Sequence, residues 1–203
     1  MTTRTVISFL ATALVVLGLA LAAAGGQAQA AELAQFTVTI RAGAGEAIAP
    51  GVWVVSHPPY VLFSANKPAS PELARLAEAG DREPLLAMMR THEAMTSFGA
   101  FAPGRPFTVT ARPGDRLAFV TKYGTSGTMF LAPKNGGFVL FAQGGRANMG
   151  NWASRVALYD TGAPGAHAPI ARAAAAPGTP ALPPTHSLIT VEIHPMLTPA
   201  PQG

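Results

Sequence analysis

Two segments of this chain alternate apolar and polar residues with a period of two. In QFTVTI, residues 35–40, the apolar residues Phe36, Val38 and Ile40 alternate with polar ones, and PFTVTA at 106–111 repeats the pattern. Successive side chains of a β-strand point to opposite faces, so the alternation is typical of strands with one buried and one solvated face. Such strands occur mostly in antiparallel sheets. This feature therefore favours an antiparallel β fold.

Seven further short apolar runs are separated by turn-forming residues, such as RPGD at 112–115 and KNGG at 134–137. Proline at the second position of RPGD favours a tight turn between two strands. The runs are GVWVV, YVLF, DRLAFVT, TMFLA, GFVLF, RVALY and SLITVEI. Because most of these strands are closely spaced and none alternates with repeated helices, we predict a mostly all-β fold, an antiparallel β-sandwich.

One short helical insertion interrupts the strands at ASPELARLAEAGDREPLLAMMRT, residues 69–91. Ser70 can cap the first amides of a helix, and Pro71 suits its first turn. Gly80 can adopt the left-handed conformation that ends a helix. We expect Asp81 to cap a second helix directly afterwards.

The first 30 residues are predicted to be a secretory signal peptide. Arg4 precedes an almost unbroken apolar run of 19 residues at 6–24, and the small residues Ala28 and Ala30 suit cleavage after Ala30. An uncleaved anchor is the alternative, because 19 residues can just span about 30 Å of hydrocarbon. The Ala-Gln-Ala site favours cleavage. We therefore expect a secreted or periplasmic protein without a membrane span after signal cleavage.

Composition narrows the class of protein further. Removal of residues 1–30 leaves 203 − 30 = 173 residues, enough for one domain with a sizeable core. The chain has no cysteine, so its stability cannot rest on disulfides. Without Arg4, 13 of the 14 basic residues remain against 10 acidic ones, a net charge of +3. The basic residues are scattered along the sequence, so we predict no basic stripe and no nucleic-acid partner.

The mature chain is predicted to form one sandwich domain whose final strand follows a long loop. We place the sandwich domain at 31–160, an Ala/Pro-rich loop at 161–185, the final strand of the sandwich at 186–196 and a disordered tail at 197–203. The loop contains six prolines and nine alanines in 25 positions. It shows no apolar face at either period, so we expect it to be long and poorly ordered.

Several motifs occur in an order that resembles a known family. They are FTVTI, AIAPGVWVV, KPASPELARLAEAGD, SFGAF, ARPGDRLAFVT, MFLAP and ALYDTG. This order, from Phe36 to Gly162, is similar to the spondin N-terminal domain family, in particular to its bacterial secreted members. The resemblance implies a C2-like β-sandwich that acts as a binding or adhesion module, with a calcium site in the loops at one end.

The same resemblance identifies candidate metal ligands in KYGTSGTMFLAP, residues 122–133, and in YDTGAP, residues 159–164. Members that resemble calcium binders carry acids where this chain has Thr128 and Pro164. Asp160 remains, with Ser126 as a further oxygen donor. Calcium takes six to eight oxygen ligands, several of them carboxylates. We therefore expect the first loop to form a turn between two strands without binding a metal, and we predict no cofactor.

Two functional hypotheses follow from these residues. The favoured one is an exported, non-enzymatic module that contacts an envelope or extracellular partner, whether protein, glycan or surface. The alternative is a secreted or periplasmic hydrolase of unrecognised type that uses Ser126 and Asp160. Ser126 does not lie in a Gly-x-Ser-x-Gly elbow, but a triad with a histidine such as His167 stays open because the fold assembles triads. A pocket that joins these groups would favour the enzyme, and an open loop surface the binding module.

Overall fold

The computed structural model describes residues 33–57, 62–93, 95–125, 127–175, 178 and 181–196. The predicted signal peptide, the tail at 197–203 and Ser126 lie outside the described residues. The strands are β1 (Ala34–Ala42), β2 (Gly51–Ser56), β3 (Met95–Phe101), β4 (Phe107–Ala111), β5 (Arg116–Lys122), β6 (Met129–Pro133), β7 (Phe138–Val139), β8 (Gly150–Asn151), β9 (Val156–Asp160), β10 (Ala171–Arg172) and β11 (Ile189–Pro195). The α-helices are α1 (Pro71–Ala79), α2 (Glu83–Arg90) and α3 (Thr185–Leu188).

The strands form two antiparallel sheets. The smaller sheet has the order β4-β1-β11-β8, and the larger has the order β10-β9-β6-β5-β2-β3, with β7 paired with β5. Phe36 and Val38 of the smaller sheet share one core with Trp53 and Phe119 of the larger sheet. This arrangement confirms the predicted antiparallel sandwich. None of the helices in the described ranges has the length and apolar character needed to cross a membrane.

The helical insertion covers the other face of the larger sheet. Val52 and Val54 of β2 belong to a second core cluster with Leu73 and Leu76 of α1. Every residue of β2 is buried, because alternate side chains face the smaller sheet and the helices. This double burial explains why GVWVV lacks the polar residues of a half-buried strand.

The helix ends agree with the sequence. The Ser70 hydroxyl accepts a hydrogen bond from the Leu73 amide at 3.2 Å, and Gly80 ends α1 with a φ of 73°. The second helix begins at Glu83, whose amide donates to Oδ1 of Asp81 at 3.2 Å. The predicted cap at Asp81 is therefore wrong by one residue, because the N-cap of α2 is Arg82, although the Asp81 carboxylate still bonds the first helical amide.

Strand β3 has no counterpart among the predicted strands. Its sequence, MTSFGAF, lacks a clear alternation of apolar and polar residues. Gly99 lies in its interior, and a Cβ atom there would approach the Trp53 ring to 3.0 Å. The glycine is present because the neighbouring indole needs the space, and a glycine inside a strand weakens the sequence pattern that predicts the strand.

The predicted strand YVLF is wrong in the part that the structure describes. Leu62 and Phe63 are in a non-strand segment, while residues 60 and 61 lie outside the described ranges. Leu62 is buried in the second core cluster and Phe63 packs against it. The apolar run thus reflects burial in a connection, which periodicity cannot distinguish from a short strand.

The C-terminal strand starts later than predicted. Residues 185–188 form the short helix α3, and β11 begins at Ile189. Pro184 is the N-cap of this helical turn, with a φ of −58°. The expected strand at 186–196 is therefore confirmed only for Ile189–Pro195.

The segment 161–185 makes contacts that its composition does not predict. Its strand β10 pairs with β9, and Ile170 is only 1% exposed in the second core cluster. The Ile170 amide donates to the Lys67 carbonyl at 2.8 Å, and its carbonyl accepts from the Asn66 amide at 2.9 Å. The expectation of a segment without apolar packing is wrong at this residue.

Substitution of Ile170 tests this contact. Ile170→Ala should lower the free energy of unfolding by about 2–5 kcal/mol, because it leaves a cavity in a closed core. His167→Ala is the matched control in the same segment; His167 is exposed, so the change should stay within about 0.5 kcal/mol. Chemical denaturation measures both. Equal, small effects would show that the segment does not contribute to the core.

Candidate functional site

The candidate residues meet where β5 and β9 end. Strands β6 and β9 pair with Met129 opposite Asp160, which brings the residue before β6, Thr128, close to Asp160. We call residues 123–125, 127, 128 and 161–166 the loop end. Thr125, Gly127 and residues 163–166 are exposed there, while Thr128 and Thr161 are buried.

Asp160 uses its carboxylate to join the two loops. Its Oδ1 accepts a hydrogen bond from the Thr128 hydroxyl at 2.5 Å and another from the Gly162 amide at 2.9 Å. The Thr161 amide donates to the Thr128 carbonyl at 3.2 Å. The structure thus brings together Thr128 and Asp160, the two positions that the family resemblance places at one site.

This arrangement does not fit a calcium ion. Thr128 contributes a hydroxyl donor that is directed at Asp160, and Oδ1 of Asp160 is already shared by two donors. Pro164 has no side-chain oxygen and is exposed. Within the described ranges, no group of three or more His, Asp or Glu side chains is placed to hold a metal. The donor set falls short of the several carboxylates that calcium needs.

Lys122 supplies a cation inside the protein at the base of the same loop. The residue is only 5% exposed. Its ammonium donates to the carbonyls of Ala77 at 2.6 Å, Glu78 at 2.8 Å and Gly127 at 3.0 Å. The first two carbonyls belong to the last turn of α1, where helix carbonyls lack intrahelical partners. Lys122 therefore caps the helix and fixes the loop with one side chain.

The surroundings of Lys122 act on the pKa of its ammonium in two opposite directions. Burial lowers the pKa of the ammonium, and the negative charge of Glu78 acts in the opposite direction. The position at the C-terminal end of α1 also favours a cation. Glu78 makes a further link, because its Oε1 accepts from the Gly165 amide at 2.9 Å. The end of α1 is thus hydrogen-bonded to both loops.

Tyr123 links the loop at 43–50, between β1 and β2, to this region. Its hydroxyl donates to Oε2 of Glu46 at 2.6 Å, and its amide donates to the Met129 carbonyl at 2.9 Å. Burial, the hydrogen bond to Glu46 and the charge of Glu46 raise the pKa of Tyr123 to about 12. The phenol therefore stays protonated and can donate throughout the neutral range.

No contact among the described residues supports the hydrolase hypothesis. Ser126 lies outside them, and Asp160 is bonded to Thr128 and Gly162. His167 is exposed, and no hydrogen bond or ion pair within the described ranges joins it to Asp160. The roles of Ser126 and Asp160 in catalysis stay a prediction.

A buried carboxylate at the other end of β5 confirms the predicted RPGD turn. Oδ2 of Asp115 accepts from the Arg112 amide at 2.8 Å and from the Thr96 hydroxyl at 3.1 Å. Nδ1 of His57 lies 3.8 Å from Oδ1 of the same residue. Asp115 is 1% exposed, so these contacts compensate for the burial of its carboxylate.

Sequence reasoning missed Lys122, although a signal was present. The lysine ends the apolar run LAFVT, and α1 has no basic residue in its last turn. A charged residue that ends a buried strand and a helix end without a cation can satisfy each other. Only the fold shows that these two elements are neighbours.

Removal of the Lys122 ammonium should destabilise the protein. Lys122→Met keeps an apolar stem but leaves the carbonyls of Ala77, Glu78 and Gly127 without this donor. We expect a loss of at least about 1.5–3 kcal/mol in the free energy of unfolding, the net contribution of one hydrogen bond to a charged group. Lys67→Met makes the same change on an exposed lysine and should have an effect below about 0.5 kcal/mol. Similar effects of the two changes would contradict the role of Lys122.

The Tyr123 phenol should make stability depend on alkaline pH. Its pKa is raised from 10.0 to about 12, so between these values the folded protein holds a proton that the unfolded chain has lost. The resulting stability is complete below pH 10 and is lost as pH rises toward about 12. The difference in unfolding free energy between the wild-type protein and Tyr123→Phe should therefore shrink over this range. A constant difference would refute the assignment.

Calcium should leave the melting temperature unchanged. A site with a dissociation constant near 10 µM would add about 2.7 kcal/mol at 1 mM calcium, which thermal melting detects easily. Thr128→Asp combined with Pro164→Glu should create calcium-dependent stabilisation, because two acids would join Asp160. A calcium shift in the unmodified protein that disappears in Asp160→Asn would show that Asp160 is a metal ligand.

Comparison with known proteins assigns no function to the loop end. No family model matches this chain, and no curated protein sequence matches it. The membership in the spondin N-terminal family stays a prediction, and the function is inferred from the geometry described above.

Proposed function

We propose that the protein is an exported, non-enzymatic binding or adhesion module of the spondin N-terminal type. Its contact surface is the loop end. The observation that carries the proposal is the hydrogen-bond network of Lys122 and Asp160, which joins two exposed loops to α1. Binding residues are often found on loops that a rigid scaffold positions.

The network supports binding because it orders the loops before a partner arrives. Lys122 connects α1 to the first loop, Asp160 connects the first loop to the second, and Glu78 connects the second loop back to α1. Loops that are already ordered lose less conformational entropy on association. The exposed residues Thr125 and Ala163 can then contact a partner while the buried residues hold the geometry.

The chemistry of the exposed loop residues indicates an uncharged contact surface. The exposed positions at the loop end are Thr125, Gly127 and residues 163–166, none of which carries a formal charge. Such a surface would contact a protein, a glycan or a cell surface through backbone groups and small side chains. The predicted signal peptide supports a partner in the envelope or outside the cell.

The proposal can be tested by capture of partners from envelope extracts with three forms of the mature protein. Thr125→Arg combined with Ala163→Arg places two large cations on the loop end without altering Lys122 or Asp160. Thr108→Arg combined with Thr110→Arg makes the same change on the outer face of the smaller sheet. Both double variants should keep the wild-type melting temperature.

We expect partners that the wild-type protein captures to be lost with the loop-end variant and retained with the sheet variant. Capture that is equal for the wild-type protein and the loop-end variant would contradict the proposed contact surface. Hydrolysis of ester or peptide substrates by the wild-type protein, abolished in Asp160→Asn, would instead favour the hydrolase hypothesis.

A further inference from the structure

Two neighbouring clefts beside β9 gather basic side chains from distant parts of the chain. One cleft, of about 370 Å³, is lined by Lys134, Arg172 and His186 together with Ser154. The other, of about 470 Å³, is lined by Arg116, Lys134 and Arg155 and also includes Ser154. Lys134 and Ser154 are common to both clefts. We call Arg116, Lys134, Arg155, Arg172 and His186 the basic cluster.

In the part of the chain that the structure describes, acidic side chains do not neutralise the basic cluster. No aspartate or glutamate is among the described residues that line either cleft. Within the described ranges, the ion pairs of arginine, lysine and histidine involve Arg41, His57, Arg75 and Arg82, none of which belongs to the cluster. Four permanent positive charges therefore face two adjoining clefts, a distribution that attracts anions.

Several of these cations are held in place by uncharged partners. The Lys134 ammonium donates to the Ser154 carbonyl at 2.8 Å, and the Arg116 guanidinium donates to the Asn135 carbonyl at 3.1 Å. The Arg155 guanidinium lies over the Trp152 ring, 4.5 Å from its centroid. These contacts orient the side chains but leave their charge available, because a carbonyl or a ring does not cancel a full positive charge.

The prediction of no basic stripe was made from the scatter of basic residues along the sequence, but the fold gathers five of them into this cluster. Its members lie in five segments: the start of β5, the turn after β6, the turn before β9, strand β10 and helix α3. Because consecutive members are 14 to 21 residues apart along the chain and lie on different elements, a search for a local run of charges could not find them. The sheet order brings these segments together.

We propose that the two clefts bind a linear anionic polysaccharide, with a sulfate or carboxylate group in each cleft. This goes beyond the proposed function, because the clefts are formed by different residues from those of the loop end. Arginine and lysine are the natural partners of such anions through charge-assisted hydrogen bonds. Two recessed clefts that share Lys134 suit charged groups repeated along one chain.

The lining favours a polysaccharide over a nucleic acid. Proteins that bind single-stranded nucleic acid present aromatic rings on which bases stack. Among the described residues that line the two clefts, Phe138 is the sole phenylalanine, tyrosine or tryptophan, and it is only 1% exposed. The described lining therefore offers charge and hydrogen bonds without a large exposed ring for stacking.

The probe for this proposal is a heparin oligosaccharide, which carries both sulfate and carboxylate groups. Its affinity for the full mature protein can be measured by isothermal titration calorimetry at two salt concentrations. Arg155→Gln combined with Arg172→Gln removes one charge from each cleft. Arg105→Gln combined with Arg146→Gln is the matched control, because it lowers the net charge equally at exposed positions outside the cluster.

We expect the wild-type protein to bind the probe and the cluster variant to bind about tenfold more weakly or worse, with a smaller salt dependence. The control should stay within about twofold of the wild-type affinity, as expected for charges that do not contact the ligand. Lys134→Gln offers a second variant, since it changes the residue common to both clefts. Melting temperatures confirm that each variant is folded.

Three results would overturn the proposal. They are no binding of the oligosaccharide by the wild-type protein, an equal loss in the cluster and control variants, and tighter binding to a DNA oligonucleotide or to phosphatidylglycerol vesicles. The loop-end variant Thr125→Arg, Ala163→Arg should keep its affinity for the oligosaccharide. Failure of the proposed loop-end function would therefore be distinguishable from failure of this site.

Discussion

The larger sheet is buried on both faces, and the placement of the other elements depends on this constraint. One face requires the smaller sheet, while the other requires α1, α2 and the side chain of Ile170. Because α1 lies on the sheet, its C-terminal carbonyls end beside β5, and they are satisfied by Lys122 from that strand. The order of the loop end thus follows from hydrophobic burial of the sheet beneath it.

Local patterns predicted the parts of the fold that are determined locally. Phe36, Val38 and Ile40 alternate in the sequence and all three are fully buried. The caps at Ser70 and Gly80 also agree, since capping needs only neighbouring residues. Strand β3 and the packing of Ile170 were missed, because a glycine placed against Trp53 and one apolar residue among alanines and prolines have no periodicity.

The candidate site shows the same division. The meeting of Thr128 and Asp160 was implied by the family resemblance, and the pairing of β6 with β9 brings the two residues together. The role of Lys122 and the basic cluster were not predicted. Both depend on which segments the fold makes neighbours, and the sequence separation of Lys122 from Ala77 is 45 residues. Contacts between residues that are distant in sequence can be inferred from residue types only after the topology is known.

The contact between Arg155 and Trp152 makes one side of the molecule visible by spectroscopy. The chain contains two tryptophans, Trp53 and Trp152. Trp53 lies between the sheets, with its Nε1 buried and without a hydrogen-bond partner in the described part of the chain. Trp152 lies beneath the guanidinium of Arg155, a residue that lines one of the clefts. Since indole emission responds to a nearby charge, Trp152 is an intrinsic optical reporter of the movement of Arg155, and its emission adds to that of Trp53.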